Sequence, residues 1–484
     1  MTLEQIARRA FEVAFCVTIL MDGAAHYLGS YVALVLFSIV LGLSAFVDVH
    51  RPALRRLKWG ALGLAVFLVG LALWQVRWLP DTASAHPVWQ NLAEQFGKSG
   101  GTLSVNRMGP VWEIPGLVLP FVAAAAAVPL YRTEVAARNL WTLLAIFGTS
   151  FAVYGFLQYF LFPNWHFLAE RNDYLDSLSG FYVYRNAAAS FLFMTALATT
   201  SALDRSLERI DMMAMWRHLR DRRPVGDEER RARLLAILLV VQVAAVLMTK
   251  SRAGFAILVV AFLPFLYLRL RRHLRAAAFP NLARLEKLGL GLAVAFVLFM
   301  GAQIIFRLEI LGAEDAGRFC TYAQSLLLIR DNLAWGVGFG GFGEAFPPYR
   351  RAECDIFGVW DKAHDTYIQG FATMGWWFLP ALVLPLALVL PPLLRARHLH
   401  GAAGTAALAA LVALGAGAVH SLIDFPLEIP GNAILLGLLV VPAIAAASDP
   451  RRSKRHAALR RRRHSDAPPS GAAEAPARTG DAAR

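Results

Sequence analysis

The stretch "DKAHDTYIQGFATMGWWF", Asp361 to Phe378, passes within a few residues from charged to apolar, and the apolar run continues toward Leu394. A run of that length has the dimensions of a helix crossing about 30 Å of hydrocarbon. Similar runs recur along all 484 residues. With 57% hydrophobic residues, 17% charged residues and a mean hydropathy of +0.48, the composition excludes an ordinary soluble protein. Helices are expected, because a chain in lipid must satisfy its backbone polar groups internally, and the short alternating segments of a membrane barrel are absent. The fold class read from these runs is all-α, a polytopic transmembrane bundle.

Apolar runs place about twelve spans near 10–22, 30–48, 59–79, 115–131, 139–161, 180–203, 234–249, 253–270, 287–306, 366–394, 401–419 and 431–447. The formal charge of +14 is concentrated in particular connections: Arg205 to Arg233, Arg271 to Arg275, and a tail from Arg451 to Arg463. That distribution follows the positive-inside rule and argues against a nucleic-acid partner. Placing those connections in the cytoplasm puts both termini there too. The opposite face then receives 80–112, 163–179, 250–254, 307–363 and 420–432. The chain divides into a transmembrane domain, 1–449, with a large outer loop at 307–363, and a basic tail, 450–484, whose composition is that of a disordered segment facing anionic headgroups. The N-terminus lacks the small-residue cleavage site of a removed signal peptide, so the first apolar stretch is expected to remain as an anchor. Cys320 and Cys354 share the outer loop, and their spacing leaves pairing open; no cysteine or histidine cluster has metal-ligand spacing.

Polar residues crowd the outer face. Lys250 and Arg252 occupy the tight turn "KSRAG", where a guanidinium can hold an anion bidentately or simply snorkel at a helix end. Arg318 opens a segment in which Tyr322, Leu326 and Ile329 recur at helical spacing, so an amphipathic surface helix is expected there. "GVGFGGFG", Gly336 to Gly343, lacks the lysine and hydroxyl of a nucleotide loop and reads as a tight turn back toward the bundle. In the opening stretch Asp361 is expected to cap the helix. That puts His364 near the third helical position, where the dipole favours a neutral ring while Asp365 favours a charged one. Arg185 with Asn186 at an outer helix start, and His420 with Asp424 and Glu428 at an outer turn, can bind sugar hydroxyls or simply end a helix.

The ordered set "SRAG", "GRFCTYAQSLLLIRDNLAWGVGFGGF" and "HDTYIQGFATMGWW", with "YRNAAASFLFM" and "HSLIDFPLEIPGNA", resembles the O-antigen ligase and O-antigen polymerase superfamily of bacterial envelope glycosyltransferases. The resemblance covers mainly Gly180 to Pro442. It implies a GT-C-like bundle in the inner membrane, with its active site on the periplasmic face. The implied activity is metal-independent, needs no cofactor and inverts the anomeric centre of a glycan carried on polyprenyl diphosphate. His364 is similar to the family's catalytic histidine, and Arg252 and Arg318 to the arginines that engage the donor diphosphate. Where the family commonly has "HN" and "SRG", this chain has "HD" and "SRAG". Lys250, Asp365, Gln369, Arg185, Asn186, His420 and Asp424 are candidates for substrate binding. The acceptor would be a second glycan repeat if the protein polymerises O-antigen or exopolysaccharide, the reading favoured by the "HSLIDFPLEIPGNA" turn, or lipid A core or a protein if it ligates. Implied partners are the lipid-linked donor, a glycan or lipid-linked acceptor, the bilayer, and a chain-length regulator or export machinery. A transporter or flippase would instead carry ionisable residues at mid-membrane depth.

Overall fold

The computed structural model describes residues 2–97, 99–167, 169–172, 174–221, 226–276, 284, 287–288, 291, 295, 313–351, 354, 360–399 and 401–448. The expected span at 287–306 and the basic tail lie essentially outside these residues. Among the described residues, ten helices are long and apolar enough to cross a membrane. The helices are α1 (Leu3–Leu20), α2 (Tyr27–Ala45), α3 (Pro52–Gln75), α4 (Pro87–Phe96), α5 (Gly109–Leu130), α6 (Glu134–Leu161), α7 (Arg185–Leu207), α8 (Met212–Arg220), α9 (Asp227–Met248), α10 (Arg252–Ile257) and α11 (Leu263–Ala276). They continue with α12 (Ala313–Asp331), α13 (Thr366–Met374), α14 (Phe378–Ala396), α15 (Ala402–His420) and α16 (Pro430–Ala447). A π-helical turn, Leu258–Phe262, joins α10 to α11 in one span, and a single 3-10 turn joins α13 to α14 in another.

The first expected span is corrected. α1 is 18 residues long but carries Glu4, Arg8, Arg9 and Glu12, which keep it out of the set apolar enough to span. It buries only one face, Ala7, Phe11, Ala14 and Phe15, and pairs with α2. Its charges are met within the protein: Glu4 bonds Arg8 at 2.7 Å and Arg132 at 3.1 Å.

α7 is the central pillar, with 89% of its apolar window buried against 11–72% for the other spans. Its sequence explains the position. Ala, Ser and Thr let neighbouring backbones approach closely in lipid, and Thr199, Thr200 and Ser201 return their hydroxyls to the carbonyls of Thr195, Ala196 and Leu197. A Cβ on Gly148 of α6 would lie 2.3 Å from Thr195 Oγ1, so glycine is required for that approach. α6, α9, α15 and α16 pack around α7, and α5 joins α2, α3 and α16.

Polar contacts sort the connections into two ends, since helices that alternate in direction must return to the same ends. At one end Arg51 donates to the carbonyls of Arg132 and Ala445, Arg205 pairs with Glu134, and Arg272 with Glu208. A buried group closes this end of α7: Asp204 accepts from Thr405 Oγ1 at 2.6 Å and lies 2.8 Å from His273 Nε2. At the other end Asp22 accepts from the Val183 amide, the Thr366 amide donates to the Ser421 carbonyl, Val105 bonds Val337, and Lys250 pairs with Asp176. The segments expected to share an outer face thus share one end of the bundle.

The Asp204 side chain is wholly buried. Asp204→Ala would strip His273 and Thr405 of their shared partner. The expected loss is about 3 kcal/mol, typical of breaking a buried pair from one side, read as a lower unfolding midpoint in detergent at unchanged oligomeric state.

Candidate active site

The end of α7 opposite Asp204 opens into a cleft lined from α7 and the chain before it by Tyr174, Tyr184, Arg185, Asn186 and Ala187, the arginine wall, and from the segments leading into α13 and α16 by His364, Asp424, Phe425 and Pro426, the histidine wall. Four of the residues expected from sequence to matter, Arg185, Asn186, His364 and Asp424, therefore meet across long sequence separations. Arg185 and Asn186 are the first two residues of α7. Asn186 Nδ2 donates to Asp424 Oδ2, which ties the walls together. The Arg185 guanidinium stands 5.0 Å from the Tyr174 ring, a stacked cation in a half-buried setting.

His364 departs from the sequence expectation. The helix cap is Asp365, not Asp361: Asp365 is extended and its Oδ1 accepts from the Tyr367 and Ile368 amides at 2.7 and 2.9 Å. The cap is displaced by four residues because Thr366 N–H is drawn to Ser421 O and Lys362 to Glu428, contacts that hold 361–364 off the helix axis. His364 consequently precedes the helix, with φ at +57°. A non-glycine residue pays about 1–2 kcal/mol for that conformation, which persists only where neighbours fix it. They do. Tyr322 Oη donates to the His364 carbonyl at 3.0 Å, Gln369 Oε1 accepts from the Ala363 amide at 2.8 Å, and the imidazole lies between the rings of Trp360 and Phe425.

The ring's proton is also placed. Nδ1 sits 3.1 Å from the Lys362 carbonyl oxygen. A carbonyl has no proton to give, so that bond requires Nδ1–H and leaves Nε2 as the basic nitrogen of the neutral ring.

The remaining candidates fall into place around this centre. Lys250, itself left-handed with φ at +51°, pairs with Asp176 at 3.3 Å and is not in the cleft lining. Arg252 is exposed at the first position of α10, beyond a Ser251 cap that accepts from Gly254 N. Arg252 does not line the cleft, but α10 packs on α7, where a Cβ on Gly254 would come within 2.4 Å of Ala189 Cβ. Arg318 belongs by its backbone to α12; its side chain lies outside the described residues. His420 is 1% exposed, behind the cleft rather than in its lining, with Nδ1 2.8 Å from Ser190 Oγ. Asp365 and Gln369 use their polar atoms to hold the backbone around His364. Burial raises the Asp365 carboxyl above the usual carboxylate range, against the lowering effect of its two amide hydrogen bonds.

The expected surface helix is α12, but its buried face is Thr321, Gln324, Ser325 and Leu328, while Leu326 and Phe319 are exposed. The reason is a polar attachment: Cys320 and Cys354 form a disulfide, and Gln324 Nε2 donates to Cys354 Sγ. The glycine run forms the expected turn. Gly336, Gly338 and Gly340 all have positive φ, and the buried Gln75 amide joins it to α13 by donating to the Trp335 and Thr373 carbonyls and accepting from Phe339 N. Among the described residues no three His, Cys, Asp or Glu side chains are grouped to hold a metal ion. The sequence pattern does not single out Tyr174, Tyr184 or Phe425, and it gives Tyr322 only a place on a helix face rather than its bond to the His364 carbonyl; nothing local marks an aromatic as a wall.

Residues 235–386 match the family model Wzy_C, described as O-antigen ligase. That match supports a relation to the O-antigen ligase and polymerase superfamily over those residues. No curated protein matches the chain. The matched O-antigen ligase segment contains Lys250, Arg252, Arg318, His364, Asp365 and Gln369. Arg185, Asn186 and Asp424, which line the cleft, and His420 behind it lie outside that segment.

Lys362, two residues from His364, is paired with Glu428 at 2.9 Å. Burial alone would lower the ammonium's pKa; the Glu428 charge and hydrogen bond, with Glu113 and Asp361, outweigh it and leave it above the ordinary lysine value. A raised lysine contributes stability that is complete below the unfolded pKa, about 10.4, and lost only as pH rises through the folded one. Lys362→Met should therefore cost about 1 kcal/mol, discounted for partial exposure, and the deficit should be equal at pH 7 and pH 9 when read by thermal unfolding.

Proposed function

We propose that this protein transfers a glycan from a polyprenyl diphosphate donor to an acceptor sugar hydroxyl at the outer end of the bundle, the periplasmic face of a bacterial inner membrane. The observation that carries the reading is that one cleft is lined by both His364, whose Nδ1 lies against the Lys362 carbonyl, and Arg185. The domain match supplies the reaction class. The basic connections gathered at the opposite end support the orientation, with both termini inside.

In this reaction His364 Nε2 accepts the proton of the acceptor hydroxyl as its oxygen bonds the anomeric carbon. The bond from that carbon to the diphosphate oxygen breaks, and the polyprenyl diphosphate leaves with the electron pair. Attack opposite the leaving group inverts the centre. Arg185 in the cleft, with Arg252 and Arg318 on neighbouring elements, stabilises the charge gathering on the departing diphosphate. Tyr174 and Tyr184 offer ring faces to the sugar, and Asn186 and Asp424 offer polar edges. The apolar helices below hold the polyprenyl chain so that the glycan is already oriented. Transfer by these groups alone is metal-independent.

The "HSLIDFPLEIPGNA" turn favours polymerisation of O-antigen or exopolysaccharide repeats. The description of the matched family favours ligation to lipid A core or another acceptor. Product length separates them: a ladder of repeats marks a polymerase, a single addition a ligase.

The test is turnover of purified lipid-linked glycan in proteoliposomes containing chelator. His364→Gln is expected to lower kcat by about 10²–10⁴-fold. Arg185→Ala and Arg252→Ala should each lower kcat/KM by about 10²-fold, with wild-type yields of folded protein. Undiminished bond formation in His364→Gln would remove the proposed base, and glycan crossing without bond formation would mark a flippase.

A further inference from the structure

The arginine wall is built mainly from α7, and the histidine wall from His364 before α13 together with Asp424 to Pro426 in the turn between α15 and α16. Besides the Asn186–Asp424 bond at the rim, one buried side chain behind the cleft reaches both. Asn432, on the first turn of α16 and wholly buried, donates one Nδ2 hydrogen bond to the Ala187 carbonyl and one to the Pro426 carbonyl, each 3.0 Å long. Ala187 and Pro426 both line the cleft, one from α7 and one from the turn between α15 and α16. The amide has only two N–H groups, so both are spent on joining these two segments. Its orientation is fixed from the other side, where the buried Tyr182 hydroxyl lies 3.4 Å from Asn432 Oδ1. Tyr182 is itself immobilised: its ring lies where a Cβ on Gly23 would be, and its hydroxyl where a Cβ on Gly431 would be, both within 2.9 Å.

We infer that Asn432 is a positioning residue that sets the spacing between the arginine wall and the histidine wall, with Tyr182 orienting it. This rests on the reading that the cleft holds the glycan donor. No other side chain type of this size offers two donors to two carbonyls and one acceptor to a hydroxyl. Without the clamp the walls separate for part of the time, and a ligand that needs both walls binds only the fraction of molecules with the competent spacing. Asn432 touches no reacting atom, so molecules that do bind donor turn over normally.

Asn432→Ala is therefore expected to raise KM for the lipid-linked glycan about tenfold, the value for a competent fraction near one tenth, with kcat within about threefold of wild type. Tyr182→Phe, which keeps the ring and both Asn432 donor bonds, should raise KM about threefold by the same reasoning and serves as the deciding variant if Asn432→Ala does not fold. A residue that merely supports the fold would lower the yield of active protein and so the apparent kcat, at constant KM. Hydrogen–deuterium exchange read without substrate should show faster exchange at 184–190 and 421–429 in either variant. Unchanged KM in the folded variants, or unchanged exchange at those two segments, overturns the inference. If wild-type protein forms no glycosidic bond at all, the functional reading falls, and the exchange measurement alone decides whether Asn432 joins the walls.

Discussion

Asp365 capping α13 is the contact on which the site depends. By accepting two amide hydrogen bonds it starts the helix at Thr366, two residues after His364, and leaves that histidine outside, in a left-handed conformation. Were the cap at Asp361, His364 would sit inside the first turn with its ring directed along the helix surface. Instead its backbone carbonyl is held by Tyr322, its Nδ1 by Lys362, and its ring by Trp360 and Phe425. Several independent contacts over-determine a conformation that is costly alone, a pattern characteristic of residues held ready for chemistry.

The opposing wall depends on a different constraint. α7 is small-residue rich and bonded to itself through hydroxyls, so it can occupy the bundle's centre. Its first two residues are then presented at the end of the most buried helix, where Arg185 and Asn186 have little freedom to move. A charged group held on a rigid element acts more strongly on a diphosphate than one on a flexible loop, because it needs no reorganisation as charge develops. The domain match covers His364, while the arginine wall lies before the matched segment and Asp424 to Pro426 after it.

Much of the bundle is legible in the sequence because lipid imposes a length and an apolarity that runs of residues display directly. The concentration of basic residues in particular connections is similarly local, and the structure gathers the described ones at one end of the bundle. α1 was misread because its apolar stripe survives among Glu4, Arg8, Arg9 and Glu12, whose partners Arg132 and the Leu130 carbonyl are far along the chain. The cap at Asp365 was misread for the same reason: two aspartates precede the helix, and the choice between them is made by Ser421 and Glu428. The facing of α12 follows a disulfide and a glutamine rather than an apolar stripe. The pairing of Asn186 with Asp424 spans 238 positions and leaves no local trace. What the sequence did mark was the polar residues placed at helix ends in an otherwise apolar chain, where desolvation makes idle placement costly.

The most direct measurement is an experimental structure of the protein in a lipid disc with a non-transferable polyprenyl diphosphate glycan bound. The account requires the diphosphate within hydrogen-bond reach of Arg185 and the anomeric carbon beside His364, with the imidazole still bonded to the Lys362 carbonyl through Nδ1. A diphosphate bound away from this cleft, or a His364 turned into the helix with Nε2 facing the protein interior, would contradict it.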